Sequence, residues 1–152
     1  MIYIATDHAG FETKNTIVKY LKDKWIDCTD IWPFEYDALD DYPDFIIPCA
    51  LKVAEDLENN LGIILGGSGQ GEAIAANKVE WIRAAIYYWW DKEILTLSKL
   101  HNNANILSLG GRFLSQDEAL EAIDIWLEAK YEREERHQRR IDKISTYEKE
   151  RI

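Results

Sequence analysis

Residues 61–78, LGIILGGSGQGEAIAANK, hold the densest chemistry in this chain. Four glycines fall within Gly66–Gly71. Glycine at that density is costly unless the backbone must take positive φ or approach something closely. An apolar strand, a glycine turn and a helix in succession aim several backbone N–H groups at one spot, at the positive end of the helix. That arrangement suits a phosphate, a carboxylate or an enolate-like oxygen, although it also serves as a plain tight connection. Gly67, Gly69 and Gly71 are the candidate ligand-facing positions. Glu72 follows at once and has two roles open to it. An acid in the first helical turn favours the macrodipole by a few tenths to about 1 kcal/mol. Beside an oxyanion hole, the same acid is a general base. Ser68 is either a cap for the following helix, the commoner role, or a donor to that oxyanion. The turn matches neither common nucleotide motif: no GxGxxG frame runs through it, and Glu72 stands where a Walker loop needs lysine.

Other polar residues follow predicted strand ends. Asp7 and His8 come directly after the apolar run IYIAT, as a site or as a structural turn. Arg112 follows two glycines and is a candidate anion ligand. Tyr42, in DDYPD, is a ligand contact or a packed loop aromatic. His101 ends a predicted helix, where a cation is favoured in any case. Asn102 and Asn103 beside it double as helix-stop residues. Arg136 and Arg140 are four apart and share one helix face, holding either an anion or an ion-pair ladder with Glu132, Glu135 and Asp142. Trp89 and Trp90 could wall a pocket, with packing or an interface as the commoner use.

The elements that must position these residues are legible from periodicity. Strands are expected at Ile2–Thr6, Trp25–Ile31, Leu61–Leu65, Ile82–Tyr87 and Asn105–Leu109. Helices are expected over Phe11–Lys24, Asp44–Glu58, Glu72–Lys78, Asp91–His101 and Gln116–Ala129, the last capped by Ser115. A polar, helical C-terminal region with a disorder-prone tip follows from Lys130. Strands alternating with helices predict α/β architecture, a Rossmann-like doubly wound five-stranded parallel sheet with a C-terminal helical arm. Ligands of such sheets sit beyond the carboxyl ends of the strands. Asp7-His8, the loop near Tyr42, the glycine turn and Gly111-Arg112 would all meet there. The arm lies outside the alternation, which suggests that it embraces a second subunit.

Composition narrows the function classes. The 152 residues suffice for one domain with a core. A formal charge of −10 disfavours nucleic acid as a partner. Yet Arg133, Arg136, His137, Arg139, Arg140 and Lys143 crowd together, which points to one small anion held locally. No apolar run reaches the length of a membrane span, and the chain opens on a strand without a basic leader, so a cytoplasmic location is expected. Cys28 and Cys49 lack metal spacing and read as buried free thiols.

Taken together, the blocks TDHAGFETK at 6–14, DYPD at 41–44, GGSGQGEAIAANK at 66–78, HNNANILSLGGR at 101–112 and RHQRRIDKI at 136–144 resemble the type B ribose-5-phosphate isomerases, a family that also contains the galactose-6-phosphate isomerase subunits. The blocks occur in family order over nearly the whole chain. The resemblance implies a Rossmann-like domain over 1–130 whose arm, 131–152, packs on the partner of a homodimer, with dimers pairing into tetramers as a further option and active sites shared between subunits. It implies no cofactor and no metal. It also implies a role in the pentose phosphate pathway, interconverting ribose 5-phosphate and ribulose 5-phosphate by ring opening and a cis-enediolate. Many members carry a cysteine base at the start of the glycine turn, where this chain has Gly66. A second subgroup carries glutamate after the turn, and this chain looks like that subgroup, so Glu72 becomes the preferred base. The resemblance further assigns ring opening to His101 with Asp7, the oxyanion to Ser68 and the N–H groups of Gly69–Gly71, and sugar hydroxyls to Tyr42 and Asn102. It assigns the phosphate to His8, Arg112, Arg136 and Arg140, with His137 as an addition. Two other functions fit the same residues: isomerisation of a six-carbon or branched sugar phosphate, and phosphosugar binding without turnover. The segment YYWWDKE at 87–93 looks longer than usual and bears on pocket size.

Overall fold

The computed structural model describes residues 1–89 and 91–150. Five strands, β1 (Ile2–Thr6), β2 (Cys28–Trp32), β3 (Leu61–Gly66), β4 (Ala84–Tyr87) and β5 (Ile106–Gly110), form one parallel sheet in the order β2-β1-β3-β5-β4. The helices are α1 (Phe11–Asp23), α2 (Pro43–Ala54), α3 (Gln70–Ala76), α4 (Glu93–Asn102), α5 (Gln116–Glu128) and α6 (Glu135–Lys149). A short 3-10 turn spans His8–Gly10.

Period-two alternation with both sets apolar is what a sheet covered on two faces demands. Ile63 and Leu65 of β3, with Leu107 and Leu109 of β5, pack under α1, α5 and Leu95 of α4. Ile64 and Ile106 face the other way, onto Ile46, Cys49, Ala50 and Val53 of α2 and Ala75 and Ala76 of α3. Trp126, fully buried, anchors the first layer and donates its indole N–H to Ser98 at 3.2 Å. The chain leaves β1 for β2 on one side and crosses to β3 on the other, which makes the β1/β3 edge a topological switch point. Register then brings the strand ends level: Thr6 lies beside Leu65, and Gly66 beside Gly110.

The doubly wound architecture is as expected, with boundaries moved by local turn chemistry. β2 begins at Cys28, not Trp25, because Trp25 closes α1 in a left-handed conformation (φ 59°). There the Ile26 N–H returns to Leu21 O at 2.9 Å. The second helix begins at Pro43 and stops at Ala54, short of Glu58. Asp56 takes over the following backbone, accepting from the N–H groups of Glu58 and Asn59. β4 starts at Ala84 because Asn77 brackets that residue through both its N–H and its carbonyl. Cys49 is buried, and burial pushes its thiol up to about 12; Cys28 is only half-buried, contrary to expectation. α6 rests on its own chain: His137 and Ile141 are buried, and Glu148 accepts from the Trp81 N–H. Trp90, one of the two candidate pocket-wall tryptophans, and the C-terminal tip at 151–152 lie outside the described residues.

Ser115 caps α5 as expected, in a full capping box with Glu118. Ser115→Ala should lower unfolding free energy by about 1 kcal/mol, measured by chemical denaturation, and leave the sheet intact.

Candidate active site

The glycine turn is the centre of the site, and its shape is set by what surrounds it. Gly69 takes a left-handed conformation (φ 76°) and stands at the cap position just before α3. The expected cap, Ser68, stands one position outside; its hydroxyl accepts only a long contact of 3.4 Å from the Gln70 N–H. α3 thus starts at Gln70, two residues before the expected Glu72. The first helical bond runs from Ala73 N–H to Gly69 O, so the earlier N–H groups of the turn lie ahead of the ladder. Ser108 Oγ, fully buried on β5, donates to Gly69 O at 2.6 Å and pins the turn from below. Above it, Tyr42 lies so close that a β-carbon on Gly71 would come 2.9 Å from its ring. Gly111 N–H donates to Gly66 O at 2.8 Å and Arg112 N–H to Gly67 O at 3.0 Å. The Arg112 side chain then lies alongside Gly67.

Glu72 does not point to solvent as a helix-dipole acid would. It is 4% exposed, and its carboxyl group folds back against Gly66, in the volume that any side chain at that position would fill. Burial is the main cause that pushes this carboxyl above its ordinary value of 4.5; the charge of Asp7 adds to the rise, and a bond from its own backbone N–H opposes it. The carboxyl group is therefore largely withdrawn from water. Asp7 is buried and accepts from the Ala9 N–H at 2.9 Å.

His8 is held by a residue outside the expected set. Asp40 Oδ1 accepts from both the His8 N–H (3.2 Å) and His8 Nδ1 (2.6 Å). The hydrogen bond to Asp40 is the main cause raising the His8 pKa; burial opposes it, the charges of Asp7 and Asp40 add to it, and Arg112 opposes it. The stability this pair contributes is complete below 6.5 and is lost as pH rises through the folded-state value. Asp7, His8 and Asp40 offer ligand atoms within 4.8 Å of one another, the arrangement among the described residues that could hold a metal ion. His8 Nδ1 and Asp40 Oδ1 already satisfy each other through a proton, however.

A second group of candidates lies on α4 and α6. The His101 and His137 rings stack with centroids 4.3 Å apart and planes 12° from parallel. Arg136 Nε donates to His137 Nε2 at 3.1 Å, which makes that nitrogen an acceptor. Burial is the first cause lowering the His137 pKa, with the charges of Arg136, His101 and Arg140 in support and that of Glu134 opposed. Asn102 and Arg140 line one groove beside Ile141 and Arg83. Asn103, in a left-handed conformation, is the helix stop. Arg136 pairs with Glu134, not with the ladder of Glu132, Glu135 and Asp142. Among the described residues, no hydrogen bond, ion pair or ring contact joins this group to the glycine-turn group within one chain. Trp89 is exposed and lines a cavity with Ile86, Tyr87, Tyr88 and Ile94.

The chain has known relatives over nearly its whole length. The family model described as Ribose/Galactose Isomerase matches residues 2–144. The chain is 43% identical, over 97% of its length and 91% of the relative's, to ribose-5-phosphate isomerase B of Mycolicibacterium paratuberculosis. The crystal structure of ribose-5-phosphate isomerase B from Mycoplasma genitalium with bound ribulose-5-phosphate matches with a TM-score of 0.93 and 43% identity, covering 98% of this chain and 96% of that one. The Clostridium thermocellum ribose-5-phosphate isomerase B structure matches at 0.91 and 38% identity, covering 99% of both chains.

Two outcomes follow for the Gly66–Glu72 contact. Gly66→Ala should displace the Glu72 carboxyl and lower kcat/KM for the reaction on the order of 100-fold, since a shift of about 1 Å in a reacting group has that effect. Glu72→Gln should raise thermal stability at neutral pH. A carboxyl whose folded value is raised binds protons more tightly folded than unfolded, so stability falls as pH climbs above 4.5. Melting curves against pH should show the advantage of the amide shrinking to nothing in acid.

Proposed function

Because this chain belongs to the ribose/galactose isomerase family, we propose that it interconverts ribose 5-phosphate and ribulose 5-phosphate, with Glu72 as the base that carries the proton between C2 and C1. The observation that carries the assignment is the buried carboxyl of Glu72 folded over Gly66 beside the glycine turn. Removing a proton next to a carbonyl needs a base near neutrality and a positive environment for the oxygen that becomes charged. Burial supports the first requirement. N–H groups of Gly69–Gly71 and the Ser68 hydroxyl supply the second, for a cis-enediolate held close to Gly67. Donors of this kind are worth about 3–4 kcal/mol each in comparable sites.

The cyclic sugar is opened first, by His101 as acid/base with help from Asp7. Tyr42 and Asn102 orient sugar hydroxyls. His8, Arg112, Arg136 and Arg140 hold the phosphate, with His137 beside them. Fixing the charged end away from the reacting carbons keeps the chain of the sugar in register. The division of these residues into two groups on different elements supports a homodimer in which each active site takes the glycine turn from one subunit and the α4/α6 group from the other. On this reading residues 1–130 form the catalytic body, and 131–152 the arm that presents Arg136 and Arg140 across the interface. Dimers pairing into tetramers is a further assembly open to this surface. Among the described residues, no helix is long and apolar enough to cross a membrane. Free thiols at Cys28 and Cys49 agree with a cytoplasmic location.

Turnover of ribose 5-phosphate, with exchange of the C2 proton into solvent, is the measurement that tests this reading. Glu72→Gln should lower kcat by about 10²–10⁴-fold, the usual worth of a general base. Activity equal to the parent would remove Glu72 from the role. An inactive parent would sink the pentose assignment and turn the assay to six-carbon aldose phosphates.

A further inference from the structure

Asp40 sits in the loop 33–42, which is held down at several points. Lys14, fully buried on α1, donates to both oxygens of Asp30 at 2.8 Å and to Pro33 O at 2.5 Å. Tyr36 stands edge-on to His8, with centroids 6.3 Å apart, and to Phe11 at 6.1 Å. Asp37 forms a local turn, accepting from the Leu39 N–H at 2.9 Å, and Asp40 N–H bonds back to Asp37 O. The loop thereby delivers one carboxylate to one histidine.

That carboxylate is unusually committed. Its side chain is 5% exposed. Oδ1 takes the backbone N–H and Nδ1 of His8, and Oδ2 is buried without a hydrogen-bond partner. A buried carboxylate with an unsatisfied oxygen is expensive unless a cation lies against it. His8 is the group hydrogen-bonded to it that can supply that charge. With Nδ1 engaged and the backbone N–H tied to the same oxygen, Nε2 is the edge of the ring left to address a ligand.

We propose that Asp40 is a positioning residue: it fixes the orientation of the His8 ring and holds His8 as an imidazolium, so that Nε2–H meets the phosphate of the sugar. The inference rests on the reading that His8 contacts that phosphate. The groups facing His8 are Asp7 from its own turn, Asp40 and Tyr36 from the loop 33–42, and Arg112 from the turn after β5. Two acids against one arginine favour the charged ring, and Asp40 alone among them also bonds it. A dianionic phosphate gains a charge-assisted hydrogen bond from such a ring, and loses it when the ring is neutral.

The test follows the three histidines by NMR titration, assigned with His8→Asn, alongside steady-state kinetics on ribose 5-phosphate. In the parent, His8 should titrate above 6.5. In Asp40→Asn its midpoint should fall, KM should rise about tenfold, the equivalent of about 1.4 kcal/mol, and kcat should stay within about twofold. Asp40→Glu, which keeps the charge, should recover part of the His8 midpoint. The double variant should lose no more than His8→Asn alone, because Asp40 acts through His8. A parent midpoint at or below 6.5 overturns the proposal even if Asp40→Asn does not fold. So does an unchanged midpoint in Asp40→Asn, or a loss that adds in full to that of His8→Asn. A raised KM in His8→Asn with none in Asp40→Asn overturns the Asp40 role alone. An unchanged KM in His8→Asn overturns both that role and the phosphate contact beneath it.

Discussion

The site depends on one steric fact: a carboxyl group occupies the space that the missing side chain of Gly66 leaves open. Glu72 could not be buried there if residue 66 carried even a methyl group. Burial is what raises its proton affinity, so glycine at one position sets the chemistry of an acid six residues away. The Glu72 carboxyl group and any side chain at residue 66 are mutually exclusive uses of the same volume. On the proposed reading, glycine at 66 and glutamate at 72 are therefore one feature, not two.

Holding that contact requires a rigid turn, and the sheet supplies it. β3 is flanked by β1 and β5, and register places Gly66 against Gly110, so the turns after all three strands lie edge to edge. The buried hydroxyls of Thr6 and Ser108 then bond to the backbone of β3 and of the turn that follows it, at Leu65 O and Gly69 O. Buried polar atoms in an apolar sheet are tolerable only when paired, and these pairs run across strands. Arg112 reaches Gly67 because its own N–H is fixed to that residue's carbonyl. The sheet edge is thus stitched by bonds to backbone carbonyls, and the Arg112 side chain lies alongside Gly67.

Much of this was legible in the chain, and what was not has a common cause. Alternation in IYIAT, LGIIL and ILSLG, with both phases apolar, implied the parallel sheet, and the strand-end rule collected Asp7, the glycine turn and Arg112. Boundaries slipped where a short-range bond outweighed propensity, as at Trp25, Asp56 and Asn77. Ser68 was favoured as a cap because serine usually is; the left-handed backbone of Gly69 took that place, as only a glycine could without strain. Asp40 and Ser108 escaped notice because their partners lie far away in sequence, at His8 and Gly69. For Ser108 a signal existed: it is the lone polar residue inside an apolar strand. Asp40 was one acid among several in a polar loop, and nothing local distinguished it.

The charge balance raises a question that the geometry answers. A chain with a net charge of −10 is a poor attractor of phosphate at long range. Screening confines such fields to about 8 Å at physiological salt, so a ligand near the sheet edge responds to the few groups beside it. Those groups are arranged with cations outward and acids committed. Asp40 is spent on His8, Asp7 on the Ala9 N–H, and Glu72 is folded against Gly66. Arg112 is exposed over the glycine turn, and Arg140 lines its groove on α6. On the proposed reading, a small phosphate answers only to these few groups, whereas a large polyanion would also meet the acidic surface around them.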